Sequence, residues 1–156
     1  MTNLGSLLSA GQAELLTSTL LRAGAVIYMH CNFTTPPKNK YLVVACCEPE
    51  LLVLVINSEV NGFVQSRPEL LDCQVDVPKA DHDFLDHDSV VDCVETQTAF
   101  NLTEVRDALF TNSRSVYRGR LANYVIREVI DAVDRSETME ARHCRWIREA
   151  LTASLQ

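Results

Sequence analysis

Between residues 25 and 94 the chain strings together five short runs rich in strand-forming residues, with no helical pattern between them. The runs are 25–33 (AVIYMHCNF), 40–47 (KYLVVACC), 51–56 (LLVLVI), 73–77 (CQVDV) and 89–94 (SVVDCV). Parallel neighbours need a long crossover, usually a helix, and antiparallel neighbours need only a turn. Glu48-Pro49-Glu50 is such a turn, and it predicts a hairpin of 40–47 with 51–56. Asn61-Gly62 reads as a further turn, and Pro78 closes the fourth run. Strands in this order fit a small antiparallel barrel or sandwich and exclude a parallel βαβ sheet.

Helical periodicity flanks the strands. Residues 1–23 read as a helix with Ser9 as cap, a Leu15, Leu16, Leu20 stripe and Gly24 as its stop. Thr103 is placed to cap a helix over 104–110. Asn123 is placed to cap a second, to about Arg135, with Val125, Ile126, Val129, Ile130 and Val133 on one face. A last helix from about Glu137 sets Met139, Trp146, Ile147 and Leu151 on one side. The predicted class is α+β: an antiparallel barrel of about five strands with helices before and after it. It forms one domain over 1–156, divided into the first helix (1–23), the barrel (24–98) and a helical C-terminal part (99–156).

A chain of 156 residues buries enough surface to hold together without a metal or disulfide. No apolar run approaches the ~20 residues of a membrane span. Residues 1–21 contain no Lys or Arg, so a secretory signal would lack its positive start. Of the six cysteines, Cys46 and Cys47 adjoin inside an apolar run, which reads as buried free thiols in a cytoplasmic protein. No phosphate-binding Gly-rich loop, dinucleotide fingerprint or nucleophile elbow is present, and no cofactor is expected.

The net charge of −7 is uneven. Residues 81–97 hold six acids and no base, whereas 111–127 hold Arg114, Arg118, Arg120 and Arg127 and no acid. Long-range repulsion argues against a protein that coats nucleic acid. A local arginine patch still attracts phosphate within a Debye length of ~8–10 Å.

Four segments, in order, resemble the MazF/PemK family of plasmid-maintenance and chromosomal toxins. Gly24-Ala25-Val26-Ile27-Tyr28 is similar to the family's opening "G-D-I-V" strand. Lys40-Tyr41-Leu42-Val43-Val44 stands where members have "R-P-x-V-V". Ser89-Val90-Val91-Asp92 through Gln97 resembles the "S-x-V-…-D-Q" strand, and Gly119-Arg120-Leu121 the "G-x-L" before the terminal helix. The resemblance covers roughly 24–135. It implies an SH3-like barrel, a homodimer, an antitoxin partner and metal-independent endoribonuclease activity. In that chemistry a ribose 2′-hydroxyl attacks its own phosphate, which calls for a cation on the phosphorane and a group that moves protons. By position, Lys40 replaces the family's Arg and Asn57 or Ser58 its Thr. Lys40, Asn57 and Ser58 are therefore the implied catalytic set, with Arg114, Arg118 and Arg120 holding RNA. Lysine cannot grip two phosphate oxygens as a planar guanidinium does.

Other constellations stand beside this one. Residues 81–88 hold four Asp (Asp81, Asp83, Asp86 and Asp88) and two His (His82 and His87). They read as a loop whose carboxylates cap turns, as an acidic surface for a basic partner, or as a metal site on His82 and His87. His30 is either a general base in a cleft or an ordinary strand residue. Arg142, Arg145 and Arg148 share a helix face that meets a partner or water. The alternative to an enzyme is a non-catalytic inhibitor module on the same barrel, phage- or mobile-element-encoded, that binds through 81–88.

Overall fold

The computed structural model describes residues 10–155, and Ser9, the expected cap, lies outside them. The elements run α1 (Ala10–Leu20), β1 (Ala25–Cys31), β2 (Lys38–Cys46), β3 (Leu52–Asn57), two one-turn helices (Gly62–Gln65 and Pro68–Leu71), β4 (Gln74–Val77) and β5 (Ser89–Asp92). They end with α2 (Leu102–Val116), β6 (Tyr117–Arg120), α3 (Asn123–Arg135) and α4 (Ala141–Ser154). The class is α+β, with helices at both ends. The six strands form one curled antiparallel sheet, a half-barrel, in the order β4-β5-β3-β2-β1-β6.

The long apolar runs follow from burial on both faces. Register sets Val26 beside Val43 and Val43 beside Leu54, and all three sit in one core with α3, α4, β4 and β5. Their neighbours Ile27, Leu42 and Val44 face the other way, into a second core with Val105 and Leu109 of α2. Strands β2 and β3 therefore alternate between two apolar layers rather than between oil and water. Helix α3 presents Val125, Ile126, Val129, Ala132 and Val133 to the first core, and α4 adds Ile147 and Leu151. The expected stripe on α3 holds, except that Ile130 is only half-buried.

Several local expectations change. The hairpin of β2 with β3 forms, but Asn61-Gly62 opens a one-turn helix: the Asn61 side chain accepts from the Val64 N–H at 2.9 Å. Asn101, not Thr103, caps α2, in a reciprocal box with Glu104. Ala122 precedes α3, so Asn123 is its first helical residue rather than its cap. The last helix begins at Ala141, and Met139 is buried just before it. In α1, Leu15 is 68 % exposed, whereas Thr17, and Leu21 just after the helix, turn inward. The sixth strand, β6, falls within the part expected to be helical, since Tyr117-Arg-Gly-Arg offers no apolar alternation. It pairs with β1 through Ala25↔Arg120 and Val26↔Gly119.

A half-barrel leaves two edge strands, here β4 and β6. The 78–89 segment bridges them. Nδ1 of His82 lies 2.8 Å from the Pro78 carbonyl, at the end of β4. Its Nε2 accepts from the Ala122 N–H at 3.0 Å, just beyond β6. A carbonyl only accepts and an amide N–H only donates, so the ring is neutral with its proton on Nδ1. His82 is 1 % exposed. Phe84 then lies over Gly119, where an added Cβ would come within 2.6 Å of the ring. Tyr41 Oη donates to the Phe84 carbonyl at 3.1 Å, and the Tyr124 hydroxyl donates to the Asp81 carboxylate.

All six cysteines are free. Among the described residues no helix is long and apolar enough to cross a membrane.

Two outcomes are expected. Replacing His82 by Ala strands two backbone groups and costs about 3 kcal/mol, whereas Asp83→Ala stays within about 0.5 kcal/mol. Denaturant unfolding of both variants checks this, and equal losses would refute the bridge. Burial raises every cysteine above the ordinary thiol value of 9.0, Cys47 to about 11. The unfolded chain releases these protons first as pH rises. The associated stability is thus full below pH 9.0 and is lost as pH climbs through the folded values. Thermal unfolding should show this alkaline loss with a shallower slope in Cys47→Ala; an unchanged slope would assign the loss to other groups.

Candidate functional site

A cleft of about 180 Å³ opens where β1, β2 and β3 end and the 85–89 segment crosses them. Its walls include Tyr28, Lys38, Lys40, Tyr41, Asn57, Ser58, Asp86, His87 and Ser89. The sheet register explains the gathering. Leu42↔Val55, continued by two residues, sets Lys40 opposite Asn57. Asn57↔Val90, continued by one, sets Ser58 opposite Ser89. Asp86, His87 and Ser89 are thereby delivered to the end of the β2–β3 hairpin.

Lys40 lines the cleft. Its Nζ donates to Asn57 Oδ1 at 2.6 Å, which assigns the amide oxygen to the lysine. Burial first, and then the Lys38 ammonium, hold its pKa below the ordinary lysine value. The cation is thus partly desolvated, held by one neutral oxygen and left without a carboxylate partner among the described residues. That state favours an incoming anion.

Arginine is added from β6. The Arg118 guanidinium lies 4.8 Å from the Tyr28 ring centroid, and the Tyr28 and Tyr41 rings are 4.7 Å apart. Its Nε donates to the Ser115 carbonyl at 2.9 Å. The stacking partner is therefore Tyr28 across the sheet rather than the adjacent Tyr117. Burial and then the Asp86 carboxylate raise the pKa of Tyr41, which keeps its phenol protonated for the bond to Phe84.

The remaining sequence candidates disperse. Arg120 is committed to the fold: its guanidinium donates to the Leu121 carbonyl at 3.1 Å and to the Ser154 carbonyl of α4. Arg114 is exposed in the last turn of α2, outside the cleft lining. In the acidic segment, Asp81 accepts from Tyr124 and Asp88 accepts from the Lys79 N–H at 2.9 Å. Asp83 and Asp86 are exposed, and Asp86 edges the cleft. His82 and His87 do not converge, because both nitrogens of His82 serve backbone groups. Among the described residues no cluster of three or more His, Cys, Asp or Glu is placed to hold a metal ion. His30 pairs with Asn39 at 3.2 Å on the strand surface. Arg142 and Arg148 pair with Glu140 and Asp134 at 2.8 and 3.2 Å.

Sequence reasoning did not place Tyr28 or His87 beside Lys40. The signal for His87 was its position two residues before a strand that pairs with β3. Compared with known proteins, the chain matches no family model and no curated protein.

Proposed function

We propose that this chain is a MazF/PemK-like endoribonuclease on an SH3-like barrel, the toxin of a toxin–antitoxin pair. The observation that carries the reading is the half-buried Lys40 cation, anchored on Asn57 in a cleft shared with Ser58 and bordered by the Tyr28–Arg118 stack.

The chemistry follows from charge. When a ribose 2′-oxygen attacks its own phosphate, negative charge builds on the equatorial oxygens of a phosphorane. An ammonium already stripped of part of its water stabilises that charge more than a solvated one does. Lys40 neutralises it, the NH2 of Asn57 and the Ser58 hydroxyl donate to the same oxygens, and the Tyr28–Arg118 stack holds the flanking nucleotide. Arg120 plays no part in RNA binding in this scheme, since two carbonyls occupy it. The resemblance supplies the antitoxin partner and the homodimer.

A second reading, a non-catalytic binding module, draws on the acidic segment, whose four carboxylates are all exposed. A basic partner would meet Asp83 and Asp86 first, because Asp81 and Asp88 already accept from Tyr124 and the Lys79 N–H.

One experiment separates the two. The chain is expressed under induction in a bacterial host, wild type beside Lys40→Ala, and total RNA is read for new 5′ ends. Growth arrest with site-specific cleavage is expected, with the variant at least about 10²-fold slower. Normal growth and intact RNA in the wild type would overturn the nuclease and leave the module. Asp83→Asn with Asp86→Asn would then test the module by loss of partner capture.

A further inference from the structure

The ring of His87 bonds through Nδ1 alone. Its Nδ1 lies 3.2 Å from the Asp88 carbonyl and 3.4 Å from Ser89 Oγ. The Ser89 hydroxyl proton is already given to the His87 carbonyl at 3.0 Å, so Oγ can only accept from the ring. Both neighbours are therefore acceptors, and the neutral imidazole carries its proton on Nδ1. Nε2 is left as a lone pair with no hydrogen bond, on an exposed side chain that lines the Lys40 cleft. His82, by contrast, spends both nitrogens on the backbone. Of the two histidines in the segment, only His87 has an acceptor to offer a substrate.

We infer that His87 is the general base of the cleft, a catalytic residue that removes the 2′-hydroxyl proton of an RNA substrate. This rests on the nuclease reading above and names the proton carrier which that reading lacks.

The step balances as follows. The 2′-oxygen bonds to phosphorus as its proton passes to Nε2 of His87. The bond from phosphorus to the 5′-oxygen breaks, and that oxygen takes a proton from the Lys40 ammonium. The products are a 2′,3′-cyclic phosphate and a 5′-hydroxyl end. The imidazolium and the neutral amine return to their starting states by exchange with water. A lysine that holds its proton less tightly than usual suits the acid role.

The test uses the purified full chain on an RNA oligonucleotide that the wild type cuts. His87→Ala is expected to lower kcat about 10²- to 10⁴-fold with KM little changed, and free imidazole should restore part of the rate. On a substrate whose 5′-bridging oxygen is replaced by sulfur, the leaving group needs no proton. There the Lys40→Ala defect should shrink while the His87→Ala defect persists. His87 is exposed, so an unchanged melting temperature excludes misfolding as the cause. If the wild type cuts and His87→Ala cuts equally well, the inference falls and the nuclease reading stands. If the wild type cuts no RNA, both fall.

Discussion

A half-barrel has two open edges, and the imidazole of His82 ties them together. One ring nitrogen donates to the carbonyl that ends β4; the other accepts from the amide that follows β6. No strand pairing joins these edges, and the His82 side chain reaches from one to the other. The fit demands the neutral ring with its proton on Nδ1. Around the tie, Phe84 covers Gly119, Tyr41 holds the Phe84 carbonyl and Tyr124 holds Asp81. A hydrogen-bonded loop here does the work of an edge covering.

The cleft inherits its shape from that tie. Residues 85–89 leave His82 and Phe84 to enter β5, and on the way they form one wall around Lys40. The opposite wall is the end of the β2–β3 hairpin, which two buried apolar layers hold rigid. Lys40 thus stands between a fixed wall and a tied one. Its cost of desolvation is offset by one bond to Asn57, which leaves capacity for an anion. Of the acidic segment, Asp81 and Asp88 are turned to local hydroxyl and amide donors, and Asp86 is the carboxylate that edges the cleft.

Much of the sheet was legible in the sequence. The apolar runs 40–47 and 51–56, the turn between them and the alternation in 73–77 mark strands by composition and period alone. The stripe on α3 is equally plain. What escaped was β6, whose Tyr-Arg-Gly-Arg carries no apolar pattern and becomes a strand only because β1 offers it a free edge. Caps were misplaced by one or two residues for a related reason. Asn101 and Thr103 are both good caps, and only the reciprocal bond from Glu104 decides between them. The cleft was half legible. Lys40 and Asn57 met because hairpin ends meet. His87 joined them through long-range pairing of β5 with β3, which leaves no local mark. The acidic segment drew attention by its charge, yet its structural content lies in a histidine between the carboxylates.

The tautomer and bonding of His82 test the account most directly. Nitrogen-15 correlation across the imidazole ring should show a neutral Nδ1–H form, with the Ala122 amide protected from exchange to the level of the core strands. An Nε2–H form, or an Ala122 amide that exchanges like an exposed loop, would contradict the tie and the cleft built upon it.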